Sequence, residues 1–131
     1  MNQTLGKHLI IDGSDCNYQT LCNVELVRSF LDSLPEQIDM KKILPALSFP
    51  WTDCQPEEWG VTGFVLISTS HITIHTFPEK RFLFADCFSC KAFNEKRVMG
   101  LFVETFGIKH LETRTIDRGA SHGISDHYRA S

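Results

Sequence analysis

Alternating hydrophobic and polar positions predict strands near the start and in the middle of the chain. Residues 7–12 form a short apolar segment that ends at Gly13, as a strand does before a turn. From Gly60 onwards, three consecutive segments are rich in β-branched and aromatic residues, which favour strands. Their sequences are GVTGFVLIS, HITIHTF and RFLFADCFSC. The pattern therefore predicts one N-terminal strand and three successive central strands.

A three- and four-residue spacing of apolar residues predicts a first helix after residue 14. Either Asp15 or Asn17 could cap it, since both side chains accept hydrogen bonds from backbone amides. The spacing continues to about Leu34, and Pro35 is expected to close the helix. The apolar positions are Leu21, Val24, Val27, Phe30 and Leu31.

The remaining segments predict one more helix, one more strand and two irregular regions. Residues 92–106 repeat the helical spacing and end at Gly107, and a polar strand over 109–116 follows. Residues 35–60 hold four of the five prolines and are expected to be irregular. Residues 117–131 are expected to form a loose tail.

These elements predict an α+β fold, because the strands are grouped instead of alternating with helices. We expect a two-layer α/β sandwich, with an antiparallel-rich sheet and helices on one face. The other face would stay apolar, which suggests that the protein forms a homodimer through its sheets. A length of 131 residues favours a single domain over 1–131. The apolar residues expected on the uncovered face are Phe64, Leu66, Phe82, Phe84 and Phe88.

Composition and charge narrow the classes of function. The chain is 42% hydrophobic and 22% charged, as in ordinary globular domains, and its net charge of −3 without clustered cations argues against nucleic acid as a partner. The first residues show no secretion signal, and no window approaches the roughly 20 apolar residues of a membrane span. We therefore expect a cytoplasmic protein with no membrane contact. There the five cysteines would stay reduced.

Histidine and cysteine pairs in the strand segments offer two candidate sites. His71 and His75 are four residues apart, about 13 Å in a strand, so they cannot chelate one ion. Cys87 and Cys90 form a C-x-x-C motif, yet residues three apart in a strand point to opposite faces. We therefore predict no metal site. Two interpretations of the cysteine pair remain open: both cysteines are buried, or one of them is a reactive thiol.

The segment SHITIHTFPE, residues 70–79, followed by Cys90, resembles the core of the bacterial and archaeal S-adenosylmethionine decarboxylase family. It is similar in motif, spacing and order. The resemblance is weaker over the LGKHLIID segment and over residues 60–63, and residues 40–59 do not align. It implies a small α/β sandwich that dimerises through its sheets, which agrees with the fold predicted from the pattern.

Members of this family make their cofactor from their own chain. The resemblance implies that the Ser70 hydroxyl attacks the carbonyl of Thr69 and forms an ester. Elimination then separates residues 1–69 from residues 70–131. Ser70 becomes a pyruvoyl group, the expected cofactor, whose carbonyl forms a Schiff base with an amino-acid-type substrate and accepts electrons as CO2 leaves.

The resemblance also implies roles for five further residues. His75 would be the processing base, with Thr62 assisting where the family usually has serine. Cys90 would be the proton donor after CO2 leaves, because a thiol is mostly protonated at neutral pH. Phe77 would lie near adenine, and Glu79 would reach the ribose hydroxyls.

Two departures from the family pattern bear on the substrate. Thr69 replaces the usual glutamate before the cleavage serine, and KRFLF over residues 80–84 replaces a stretch of small residues. S-adenosylmethionine is the expected substrate, in a reaction that serves polyamine synthesis. The same chemistry on arginine or ornithine is one alternative. The other is a relative that neither processes itself nor catalyses, and that binds a ligand or a partner.

Overall fold

Six strands form one antiparallel sheet in the computed structural model, which describes residues 4–119. The strand order is β2-β3-β4-β5-β1-β6, so the N-terminal strand lies inside the sheet beside β5. The three predicted central strands are confirmed, and strands are present where they were predicted over 7–12 and 109–116. Their ends differ from the prediction, because β1 continues through Gly13 to Ser14 and β6 continues to Arg118, into the predicted tail. The tail beyond residue 119 lies outside the described residues. The strands are β1 Gly6–Ser14, β2 Leu47–Trp51, β3 Gly60–Ile67, β4 Ser70–Phe77, β5 Phe82–Ser89 and β6 His110–Arg118.

The first helical segment is split into α1, Tyr18–Leu21, and α2, Val24–Gln37. A single helix ending near Leu34 was therefore the wrong prediction. The split occurs because the Asn23 side chain accepts a hydrogen bond from the Leu26 amide and so begins a second helix. Asn17 caps α1 in the same way.

Pro35 and Asp15 differ from their predicted roles. Pro35 lies inside the last turn of α2, which continues to Gln37. Asp15 caps no helix and has a positive φ of 51° in the turn after β1. The second predicted helix is confirmed as α3, Glu95–Phe106, and Gly107 closes it with a φ of 62°.

Residues 35–60 are not wholly irregular, because they contain β2. This strand lies at the edge of the sheet and pairs with β3 alone. Pro50 within it is compatible with an edge position, where a missing amide hydrogen costs no ladder bond. A short 3-10 turn, Pro56–Glu58, then leads into β3.

The core lies between one face of the sheet and the helices α2 and α3, so the two-layer α+β prediction is confirmed. Strand residues alternate between this buried face and the opposite one, as the period of a strand requires. Each fully buried large side chain stabilises the fold by about 1.5–3 kcal/mol. The largest are Leu9, Ile11, Leu21, Leu31, Leu34, Ile72, Ile74, Leu83, Phe102 and Phe106.

The opposite face of the sheet, called the open face below, carries a broad apolar surface. Of the five residues predicted for it, all but Phe82 have buried neighbours on both sides, and Phe82, the first residue of β5, lies two residues from Phe84, so all five point to this face. Leu66 is 40% exposed and Phe84 47% exposed. The dimer predicted from this surface stays a prediction. Other large apolar side chains exposed here are Leu47, Phe49, Trp51 and Ile116.

The helices described for residues 4–119 are all too short or too polar to cross a membrane.

Candidate active site

The Thr69–Ser70 bond lies at the tip of the hairpin that joins β3 and β4. Ser68 and Thr69 form an exposed two-residue turn, and Ser70 pairs with Ile67 as the first residue of β4. Ser70 is only 9% exposed. The bond proposed for cleavage therefore joins an exposed turn to a buried strand end.

Cys90 contacts both reacting groups at this bond. Its backbone N–H donates to Ser70 Oγ at 3.2 Å, and its thiol donates to the Thr69 carbonyl oxygen at 3.4 Å. The Thr69 carbonyl oxygen would gain negative charge when Ser70 attacks it, and Ser70 Oγ would gain negative charge when the Cβ–Oγ bond later breaks. Donors already aimed at these oxygens lower the barriers to the two steps.

A cavity of about 450 Å3 opens onto the same bond. It is lined by the hairpin turn, by the segment after α2 and by the residues that follow β5. Lys91 closes one side, where its amine donates to the Asp39 backbone carbonyl at 2.7 Å. The bond is therefore accessible to small molecules on the helix side of the sheet.

Thr62 and His75 form a second pair, across the β3–β4 ladder on the open face. Thr62 Oγ1 lies 3.1 Å from His75 Nδ1, within hydrogen-bond distance. The His75 ring is exposed. The structure thus brings together the two residues expected to act in processing.

Within one chain, the Thr62–His75 pair lies far from the Thr69–Ser70 bond. Ser70 and His75 are separated by five positions of β4, so they point to opposite faces of the sheet. Five strand residues span about 16 Å. His75 therefore cannot reach Ser70 of its own chain in this fold.

Phe77 and Glu79 lie near the Thr62–His75 pair, at the far end of β4 from Ser70. Phe77 is the last residue of β4, and its ring meets the Phe84 ring edge to face at a centroid distance of 5.7 Å. Glu79 follows in the 3-10 turn Pro78–Lys80. Its Oε1 accepts hydrogen bonds from the Tyr18 hydroxyl at 3.1 Å and from Trp59 Nε1 at 3.4 Å.

The two cysteines of the C-x-x-C motif have different environments. Cys87 is completely buried in β5, and burial raises the pKa of its thiol to about 12, with a smaller contribution from Asp86. Cys90 lies just beyond the end of β5 and is exposed. Of these two cysteines, only Cys90 is accessible to a substrate.

Among residues 4–119, His8, His71 and Asp86 are the one group of three potential metal ligands with donor atoms within 4.8 Å of one another. They lie on the open face, on three adjacent strands. His8 Nε2 is 2.6 Å from Asp86 Oδ2, and His71 Nε2 is 3.7 Å from the same oxygen. The Thr73 hydroxyl donates to the other carboxylate oxygen.

Arg118 indicates that this group is a hydrogen-bond network. Its Nη1 lies 3.4 Å from His8 Nδ1, and a guanidinium can only donate. His8 Nδ1 must then accept, so Nε2 carries the proton that is donated to Asp86.

Several proteins that are similar to this chain in sequence or in fold are S-adenosylmethionine decarboxylases. The crystal structure of the adenosylmethionine decarboxylase from Aquifex aeolicus VF5 is similar, with a TM-score of 0.76 and 26% identity over 95% of this chain and 99% of that one. An S-adenosylmethionine decarboxylase proenzyme of Clostridium botulinum (strain Langeland) is 35% identical over 87% of this chain and 94% of its own length. The proenzyme of Thermococcus kodakarensis is 28% identical, covering 89% and 78%.

The family model described as S-adenosylmethionine decarboxylase matches residues 7–119. The chain belongs to this family of carboxy-lyases, and the resemblance found in its motifs is confirmed. The match also includes residues 40–59, for which the motifs alone gave no alignment.

Proposed function

We propose that this chain is a self-processing, pyruvoyl-dependent decarboxylase that acts on S-adenosylmethionine. The observation that carries the proposal is the double contact of Cys90 with Ser70 Oγ and the Thr69 carbonyl oxygen. The names of the relatives, which are proenzymes of S-adenosylmethionine decarboxylases, support both the processing and the substrate.

Processing begins at Ser70. Its Oγ attacks the Thr69 carbonyl carbon, the C–N bond breaks, and an ester and a free amine result. A base then removes the Ser70 α-proton, the Cβ–Oγ bond breaks, and residues 1–69 leave with a carboxylate at Thr69. The remaining dehydroalanine takes up water and loses ammonia, so residues 70–131 begin with a pyruvoyl group.

The residues around position 70 fit such a group. A strand-end position beside an exposed turn lets the new chain ends separate, and the Cys90 N–H offers a hydrogen bond to an oxygen there. When formed, the pyruvoyl carbonyl takes up the substrate amine and accepts the electron pair left by CO2. Cys90 lies beside this position with an exposed thiol, which can donate the proton to the substrate carbon.

The processing base and the adenosine site must come from a second copy of the chain. Ser70 and Phe77 are separated by seven residues of β4, about 23 Å, which is too far for one substrate molecule to bridge. If two open faces pack together about a two-fold axis that crosses β4 near Thr73, the strand direction is reversed. The partner's His75 then lies opposite His71, the residue that follows Ser70, and the partner's Glu79 lies near the same end of β4.

The open face is suited to such a contact. Its apolar side chains are unsheltered, and its polar centre is already paired through His8, Asp86, Thr73 and Arg118. A fully paired network can be buried without leaving an unsatisfied polar group. We therefore propose an isologous homodimer through the sheets.

Light scattering should give a mass of about 30 kDa, twice that of the 14.9 kDa chain. Phe84→Glu should shift the protein to monomer at micromolar concentration, because burying an unpaired charge costs several kcal/mol. Leu101→Glu, on the helix layer, is the matched control and should remain a dimer. A monomeric wild type would contradict the proposed interface.

The substrate is tested by measuring CO2 release from S-adenosylmethionine, arginine and ornithine with the cleaved enzyme. We expect release from S-adenosylmethionine alone, because Glu79 and the aromatic Phe77 are suited to an adenosine group. Release from arginine or ornithine only would contradict the substrate and leave the processing chemistry intact. A chain that stays whole and inactive would contradict both, and would support the non-processing alternative.

A further inference from the structure

We propose that Tyr18 and Trp59 are positioning residues that hold the Glu79 carboxylate in the orientation that binds two adjacent ribose hydroxyls. The proposal rests on the role of Glu79 in the proposed function. No local sequence signal points to Tyr18 or Trp59, since they are 61 and 20 residues away from Glu79.

Three separate segments meet at the Glu79 carboxylate. Tyr18 is the first residue of α1, Trp59 follows the 3-10 turn Pro56–Glu58, and Glu79 lies in the 3-10 turn after β4. The Tyr18 hydroxyl and Trp59 Nε1 both donate to the same oxygen, Oε1. The Tyr18 and Trp59 side chains are half-buried, whereas Glu79 is exposed.

The segment that carries Tyr18 is fixed to the sheet. Thr76, buried in β4, donates its hydroxyl proton to the Leu21 carbonyl at 2.8 Å and accepts from the Val61 amide at 2.9 Å. These two bonds fasten the end of α1 to β3 and β4. The Tyr18 donor therefore lies on a helix that is hydrogen-bonded to the sheet.

This arrangement leaves one carboxylate oxygen for a ligand. With both lone-pair directions of Oε1 occupied by donors, the two lone-pair directions of Oε2 are left to accept from a diol. An exposed glutamate without partners would have to be ordered by the substrate itself. Here the Glu79 carboxylate is already ordered before the substrate binds. Losing that order should therefore weaken substrate binding.

Tyr18 remains a donor over the working pH range. Its pKa is raised above the ordinary value, first by a hydrogen bond with Cys22 and then by the one with Glu79. The proton therefore stays on the hydroxyl that faces the carboxylate.

The test is a double-mutant cycle on the cleaved enzyme, with kcat and KM measured for S-adenosylmethionine. Tyr18→Phe should raise KM about tenfold and change kcat less than about twofold, because a hydrogen bond to a charged group is lost in binding. Trp59→Phe should act in the same direction with a smaller effect, since its bond is longer. In a Glu79→Gln background, Tyr18→Phe should add less than about a twofold change in KM.

Gln19→Ala is the control, at the exposed neighbour of Tyr18 on α1, and it should keep the wild-type KM. An unchanged KM in Tyr18→Phe, or effects of Tyr18→Phe and Glu79→Gln that multiply independently, would overturn the positioning role. So would a loss of self-cleavage in Tyr18→Phe, because that result indicates a general structural role. A wild type that releases no CO2 from S-adenosylmethionine would instead overturn the proposed function itself.

Discussion

Replacing Ser70 with alanine is expected to abolish chain cleavage and, with it, all decarboxylation. Without Oγ no nucleophile can reach the Thr69 carbonyl, and no precursor of the pyruvoyl group remains. The fold should persist, because the one hydrogen bond lost from the Cys90 amide is worth only about 1 kcal/mol. The variant should therefore be a folded, uncleaved chain of 131 residues.

Intact mass and a denaturing gel measure this result directly. Wild type should give fragments 1–69 and 70–131, and the second should be blocked to Edman sequencing. Ser68→Ala is the matched control, since Ser68 is an exposed serine in the same turn and should not be needed for cleavage. Cleavage of the Ser70→Ala chain at the same bond would show that another group is the nucleophile.

The sheet could be predicted from the sequence wherever a strand has one buried face. In β3, β4 and β5 the residues alternate between the core and the open face, and this alternation is visible in the sequence. In β2, four of the five residues are exposed, and Pro50 interrupts the pattern. The strand is held by its pairing with β3, which local composition does not encode.

The helix boundaries depended on contacts that periodicity does not report. The apolar spacing continues across Cys22 and Asn23, so it predicts one helix where the Asn23 cap begins a second one. Pro35 was expected to end α2, yet a proline in the last turn removes only one amide donor, and the turn continues to Gln37. A side-chain cap such as that of Asn23 involves only a few residues, and it can interrupt a helix although the apolar spacing continues.

The roles of the candidate site residues stay predictions, and their arrangement differs from the expected one. The alternation that separates the Cys87 side chain from its neighbours also separates Ser70 from His75, because five is an odd number of strand residues. The sequence therefore held the signal that one chain cannot complete the site. The Tyr18 and Trp59 contacts with Glu79 had no such signal, since only the fold brings these three segments together.

A mixture of two inactive variants is expected to recover cleavage if the processing base comes from the partner. His75→Ala alone should stay uncleaved, because its Ser70 has no base, and Ser70→Ala alone should stay uncleaved because it has no nucleophile. In a mixed dimer, the Ser70 of the His75→Ala chain meets the partner's His75. That one site is complete, whereas the other site of the same dimer lacks both groups.

Coexpression of the two variants with different tags measures this outcome by mass. Only the His75→Ala chain should be cleaved, and random pairing of equal amounts should allow about half of those chains to react. His110→Ala is the control histidine, exposed on β6 and away from the hairpin, and it should cleave by itself.

The geometry makes the alternatives distinguishable. If His75 acted within its own chain, the His75→Ala chain would stay whole in every mixture, since pairing would not restore its base. If His75 were not the base, His75→Ala would cleave alone at the wild-type rate. Recovery in the mixture only, and only on the chain that retains Ser70, requires the partner's histidine at the site, because Ser70 and His75 of one chain are roughly 16 Å apart.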